Sequence, residues 1–251
     1  ENPSVTVLLN SVRRAYQFLY QKIRADQLER QLSERTRELR EVSEVGIALS
    51  TVRDHAVLLT MILTKARELS RADAGSLYLL DEIEGAGTVR RWKRAQNDSL
   101  EVSFVEQVLP ITRRSLAGYV AMTGETLVID NAYDLPDDVE YTINRSFDKE
   151  NGYLTKSLLV FPMTNHAGDV IGVLQLINRK RVGAPSRLTA ANVPDEVIPF
   201  GREIVQLMRS LSGPAQVAVE NNLLYESTER LFAGCVTARV PARQPRHPST
   251  P

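Results

Sequence analysis

SLLVFPM (157–163) and VIGVLQLIN (170–178) stand on either side of TNHAGD (164–169), and the reading of this stretch decides the fold. Its apolar flanks read as two strands, and Gly168-Asp169 supplies the tip of a tight turn, which together predict a β-hairpin. Both strands are apolar on both faces, so the hairpin belongs at the buried centre of a sheet.

Working outward toward the N-terminus, Thr126 to Ile129 reads as a brief strand and Leu116 to Glu125 (LAGYVAMTGE) as a short helix stopped by Gly124. Between that strand and the hairpin, Asp130 to Gly152 is polar and irregular, with room for one short helix around Ile143 to Lys149. Ala74 to Leu80 (AGSLYLL) is strand-like, Asp81 to Gly87 (DEIEGAG) turn-rich, and Thr88 to Ala95 a partner strand. Val102 to Ile111 is a further extended stretch that ends near Pro110. Before these, His55 to Leu69 has helical periodicity, with Val57, Leu58, Met61, Ile62, Ala66 and Leu69 on one face.

The outermost segments differ in character. Ser11 to Leu49 lacks proline and is dense in Arg, Glu, Gln and Leu, which predicts one long helix. Its heptad seam runs Phe18, Ala25, Leu28, Leu32, Arg35, Leu39, Val42, Gly46, Leu49, the pattern of a short parallel coiled coil in which Arg35 and Gly46 are poor members. A single solvated helix is the alternative. On the C-terminal side, Arg179 to Pro199 reads as a linker with three prolines, and a last helix starts at Gly201. Gly213-Pro214 is expected to kink or split that helix. Residues 233–251, rich in proline and cations, read as a disordered tail. The chain therefore divides into a helix (1–50), a domain (51–200), a second helix (201–232) and a tail (233–251), and the domain is of the α+β class.

SLAGYVAMTGETLVIDNA, FDKENGYLTKSLLVFPM and GDVIGVLQLINRK together resemble the GAF domain family, over roughly Val45 to Tyr225. The resemblance implies a twisted antiparallel sheet of about six strands with helices on one face and a small-ligand pocket on the other. Long N- and C-terminal signalling helices flank it. SFDKENGYLTKS and PFGREIVQLMRSLSGPAQVAVENNLLYESTERLF are similar to GAF regions that precede an HD-GYP phosphodiesterase of cyclic di-GMP. NPSVTVLLNSVRRAY loosely resembles the last helix of a receiver domain. The chain opens on Glu1 rather than Met, which suits a fragment of something longer.

Composition and motifs argue against chemistry. The 31 basic and 31 acidic residues balance, so no global field recruits nucleic acid or an anionic membrane. One cysteine, Cys235, excludes an internal disulfide and suits a reducing cytoplasm. No apolar run is long enough to span a bilayer, and no secretion signal opens the chain. The three histidines, His55, His166 and His247, include no His-Asp step, so the binuclear metal site of an HD-GYP domain is missing. The cysteines or axial histidine that bilin-, haem- or sulfoxide-reducing GAF domains need are likewise not supplied. Neither nucleophile nor phosphate loop is evident, and the expectation is a non-enzyme without a cofactor. Arg90, Arg91, Lys93 and Arg94 around Trp92 hint at nucleic acid, but cross-strand pairing with DEIE explains them more simply.

What remains is a small ligand, held between the sheet and the polar segment Asp130 to Thr155. Ser76, Tyr78, Asp130, Asn131, Phe147, Thr155 and Ser157 are the candidate binding residues. The competing reading makes Asp130 and Asn131 an Asx turn and Phe147 a core plug, leaving only a dimerisation spacer. Cyclic-nucleotide-binding GAF domains carry Asn-Lys, a variable stretch, Phe, three residues and Asp-Glu. Here Asn178-Arg179-Lys180 and Phe200 are present, but Ile204-Val205 stands where Asp-Glu would fall. A homodimer with both helix pairs beside its two-fold axis is the expected means of passing a signal on.

Overall fold

The computed structural model describes residues 3–83, 87–101 and 108–238. The chain forms two compact units, residues 1–44 and 45–251. The first consists of the greater part of α1 (Pro3–Thr51), whose Phe18, Leu28 and Leu32 are well exposed.

In the second unit the last turns of α1 join the domain. Leu49 is fully buried in the main core, so the heptad seam cannot extend to it. Gly46 lies against the ring of Pro214, 2.8 Å from a β-carbon position to the proline Cβ, which explains a glycine at a poor seam position. α2 (His55–Ser70) starts at Asp54, whose Oδ1 accepts from Val57 N at 3.0 Å, and ends at Arg71 in the left-handed conformation. Its buried face is Leu58, Leu59, Ile62, Leu63 and Ala66, while Val57 is half exposed. The apolar stripe is thus rotated from the expected one, because Val57 and Leu59 flank Leu58 and periodicity alone cannot choose between them.

Among the described residues, six strands follow in the order β3-β2-β1-β6-β5-β4, with a seventh, β7, paired to the end of β6. They are β1 (Ala72–Ile83), β2 (Gly87–Asn97), β3 (Val108–Pro110), β4 (Leu127–Ile129), β5 (Leu158–Thr164), β6 (Val170–Lys180) and β7 (Val197–Ile198), and every pairing is antiparallel. The β5–β6 hairpin is where the sequence places it, with Gly168 at φ 92 in the turn and six consecutive buried residues in β5. Leu77 and Leu79 of β1, with Leu159, Phe161, Leu174 and Leu176, pack under α2 and α6 (Arg202–Ala238). The opposite face carries α3 (Leu116–Thr123) and the segment around α4 (Ser146–Asn151).

Four expectations need correction. Residues 179–199 are not a loose linker: they hold α5 (Val193–Glu196) and β7, with Leu188, Val193 and Val197 buried together against Leu154. α6 runs unbroken through Pro214 to Ala238, so Gly213-Pro214 does not split it. Its length also puts 233–238, including Cys235, in helix rather than tail, while 239–251 lie outside the described residues. Finally, the β1–β2 register sets Leu79 and Leu80 opposite Arg91 and Arg90, and Asp81 and Glu82 opposite Val89 and Thr88. Asp81 and Glu82 are therefore not the direct cross-strand partners of the basic residues, and Glu84 lies outside the described residues. Arg94 reaches α2 instead, donating to Thr60 Oγ1 at 3.0 Å.

Candidate ligand-binding site

Strand alternation sends Ser76 and Tyr78 to the face opposite Leu77 and Leu79, toward α3 and α4. In register with Ser76 is Gln175 of β6, which in turn stands beside Val160 of β5. This floor is completed by Leu158, Val173 and Ile177. The wall is α3, capped at Ser115, whose Oγ accepts from Gly118 N at 3.2 Å, and terminated by Gly124 at φ 70. Half-buried Tyr119, Tyr141 and Ile143 rim the cluster, and the first two rings meet edge to face with centroids 5.1 Å apart.

The seven sequence-derived candidates separate into groups. Ser76 and Tyr78 share the floor. Asp130 and Asn131 are exposed, and Asn131 Oδ1 accepts from Tyr133 N at 3.2 Å in an Asx turn. Phe147, half buried on α4, meets Tyr153 edge on at 6.3 Å. Thr155 donates Oγ1–H and N–H to the two carboxylate oxygens of buried Asp148, each at 2.8 Å, and Tyr133 Oη donates to the same carboxylate. Ser157 is fully buried, its Oγ accepting from Arg179 N at 3.1 Å. Burial, with the Asp148 bond, holds the Tyr133 hydroxyl above the usual tyrosine range.

Sequence reasoning missed the polar centre behind the floor. Asp73 is fully buried and accepts from Tyr153 Oη at 2.7 Å and Ser99 Oγ at 2.8 Å. Lys180 Nζ lies 3.3 Å from the same carboxylate and 3.0 Å from Asp98. Asn178, at φ 57, donates Nδ2–H to Tyr153 Oη and to Leu154 O, and accepts from Lys156 N at 2.7 Å. Burial, then the adjacent Asp73 charge, pushes the Tyr153 hydroxyl far above its ordinary range. The cluster ties the α4–β5 segment to β1 and β6. A non-glycine, αL-tolerant Asn at the end of an apolar strand was the one local signal available.

At the start of α6, Arg179 Nη1 lies 3.1 Å from Glu203 Oε1 and also donates to Pro199 O. This pair joins β6 to α6 although Asp-Glu is not found four residues beyond Phe200. A hydrogen bond from its own helix start and the Arg179 guanidinium together hold Glu203 below the usual carboxylate range, against the opposing effect of burial.

Among the described residues, no group of three or more His, Cys, Asp and Glu side chains is placed to hold a metal ion, and no helix is long and apolar enough to cross a membrane. Comparison with known proteins agrees with the architecture. The family model for the GAF domain matches residues 54–219. A cGMP-specific 3',5'-cyclic phosphodiesterase of Drosophila melanogaster is 30% identical over 163 residues, 59% of this chain but only 14% of that protein. The GAF domain of a phosphoenolpyruvate-protein phosphotransferase from Coxiella burnetii superposes with a TM-score of 0.56 at 16% identity, covering 76% of this chain and 96% of that one. The corresponding Acinetobacter domain gives 0.53 at 15% identity, covering 76% and 97%. These two likenesses carry the fold alone.

Proposed function

The chain belongs to the GAF domain family, and from that premise we propose that it is a sensory and regulatory module rather than an enzyme. It takes a small ligand on the α3 face of the sheet and passes the signal through dimeric entry and exit helices to an output such as an HD-GYP phosphodiesterase. What carries this reading is the pair Ser76 and Gln175, adjacent across β1 and β6 on an otherwise apolar floor, with no hydrogen bond to either side chain among the described residues. Two convergent polar groups in an apolar, aromatic-rimmed site are how small-molecule sites fix orientation.

Cyclic nucleotides are the first ligands to test, because the phosphodiesterase relative is named for cGMP. Isothermal titration of the chain with cGMP and cAMP should show saturable binding. Ser76→Ala should weaken it about tenfold, the loss of roughly one good hydrogen bond, with the unfolding midpoint unchanged. No heat and no thermal shift with any nucleotide or metabolite tried would favour a second reading, a dimerisation and relay module without a ligand. One observation already leans that way: the polar groups of Asp148, Thr155 and Ser157 are all engaged by the protein itself.

The dimer has its own support. Exposed Phe18, Leu28 and Leu32 lie on the a/d seam of α1, and Arg24 and Glu29 fall at g and e, where a parallel pair brings opposite charges together. Sedimentation velocity at tens of micromolar should show a dimer, shifted toward monomer by Leu28→Glu. A wild-type monomer under those conditions would sink the relay.

A further inference from the structure

Opposite the sheet-face site, the end of α2 and the end of β6 enclose a cleft of about 500 Å³. Its walls include Arg67, Arg71, Lys180 and Arg181, against Glu68 and Asp98. We propose that this cleft binds the phosphate group of a small molecule.

The charges around it do not cancel. Arg67 and Lys180 share Asp98, and Lys180 also reaches Asp73. Arg181 forms a two-pronged pair with Glu196 at 2.7 and 3.0 Å, and Lys65 takes Glu68 at 2.7 Å. Arg71 is left over, with no side-chain partner among the described residues. Its backbone sits at φ 58, ψ 31 as the C-terminal cap of α2, a position that glycine fills without strain. A long cationic side chain kept at a strained position beside a cleft points to a role for that side chain. Arg67 adds its charge to the wall, its terminal nitrogens held by Gln96 Oε1 and the Asp73 carbonyl.

An unpaired guanidinium with three further cationic side chains in the same walls calls for an anion with more acceptor directions than one carboxylate offers. A phosphate has three terminal oxygens and suits the planar fork of arginine. The cleft is larger than inorganic phosphate, so it has room for the remainder of the molecule.

The test is isothermal titration of the full chain, at constant ionic strength, with inorganic phosphate, pyrophosphate and ADP. Wild type is expected to bind at least one of them. Arg71→Gly should weaken that binding tenfold or more while leaving the unfolding midpoint equal or higher, since glycine relieves the left-handed strain. Tighter binding of ADP than of pyrophosphate assigns the phosphate to a carried group; the reverse order assigns a free one. Ser76→Ala should leave the affinity unchanged, which separates this cleft from the sheet-face site. The proposal falls if no anion binds beyond the effect of matched chloride. It also falls if Arg71→Gly binds within twofold of wild type, or if Ser76→Ala abolishes the binding.

Discussion

Asp73→Ala is expected to destabilise the domain by about 3 to 5 kcal/mol, the range for removing one partner from a buried charged network. The carboxylate is fully buried and serves Tyr153 Oη, Ser99 Oγ and Lys180 Nζ together. Its loss strands a buried hydroxyl and leaves the Lys180 ammonium with Asp98 as its remaining carboxylate. Alanine also opens a small void that water can enter only in part. For a domain of this size the midpoint should fall by about 6 to 20 °C. Tyr153→Phe makes the matched comparison. It deletes one donor but keeps the ring against Phe147, and Asn178 retains its bond to Leu154 O at 2.8 Å, so about 2 kcal/mol, the loss of one hydrogen bond to a charged acceptor, is expected. Urea unfolding followed by circular dichroism measures both. An Asp73→Ala variant within 1 kcal/mol of wild type would show that the network contributes little and that the α4–β5 segment is held by apolar packing alone.

Those three residues illustrate where sequence reading stops. Asp73 and Tyr153 are 80 positions apart and Tyr153 and Asn178 are 25 apart. No periodicity links them, because each sits at the edge of an element where the local pattern is uninformative. What was legible was local: the β5–β6 hairpin from two apolar runs about a turn, the end of α3 from Gly124, and the helical stripe of α2. Even there the stripe was rotated, since three adjacent apolar residues give no phase. The prolines misled where they were read as breaks. Pro194 lies within α5, where the first positions of a helix tolerate it, and Pro214 lies inside an unbroken helix against Gly46. Of the seven candidates, Ser76 and Tyr78 were named for their place on the first strand, and the structure puts both on the α3 face of the sheet. Gln175 was not among the seven, because an isolated glutamine in an apolar strand carries no signal until the register sets it beside Ser76.

Gly118→Ala tests the wall of that site, and here two effects oppose each other. Gly118 is within α3, where exchanging glycine for alanine would ordinarily stabilise a helix by up to about 1 kcal/mol. A β-carbon at this position, however, would overlap the carbonyl oxygen of Thr112 and stand 2.6 Å from Ser115 Oγ and 2.9 Å from Thr112 N. Two of these atoms are backbone and cannot rotate away. The third is the cap of the helix, which accepts from Gly118 N itself. Relief therefore requires α3 to lift from the 112–115 turn and to lose its cap, a combined cost of about 3 kcal/mol or more, so sterics should win. Gly213 supplies the comparison: it is also inside a helix, and apart from its chain neighbours and its own helix turn an added β-carbon meets nothing within 4 Å. Gly213→Ala should change stability by less than about 1 kcal/mol, because the helix gain of alanine is offset by its β-carbon against the ring of Pro214 that follows it. A loss of about 3 kcal/mol or more for Gly118→Ala against a change under about 1 kcal/mol for Gly213→Ala in urea unfolding is the expected result, and Gly118→Ala should further abolish any ligand binding on the sheet face, since Leu116, Ala117 and Val120 would leave their places over Leu158 and Val160. Stabilisation by Gly118→Ala would mean that α3 does not pack on the 112–115 turn as described, and the wall of the site would have to be redrawn.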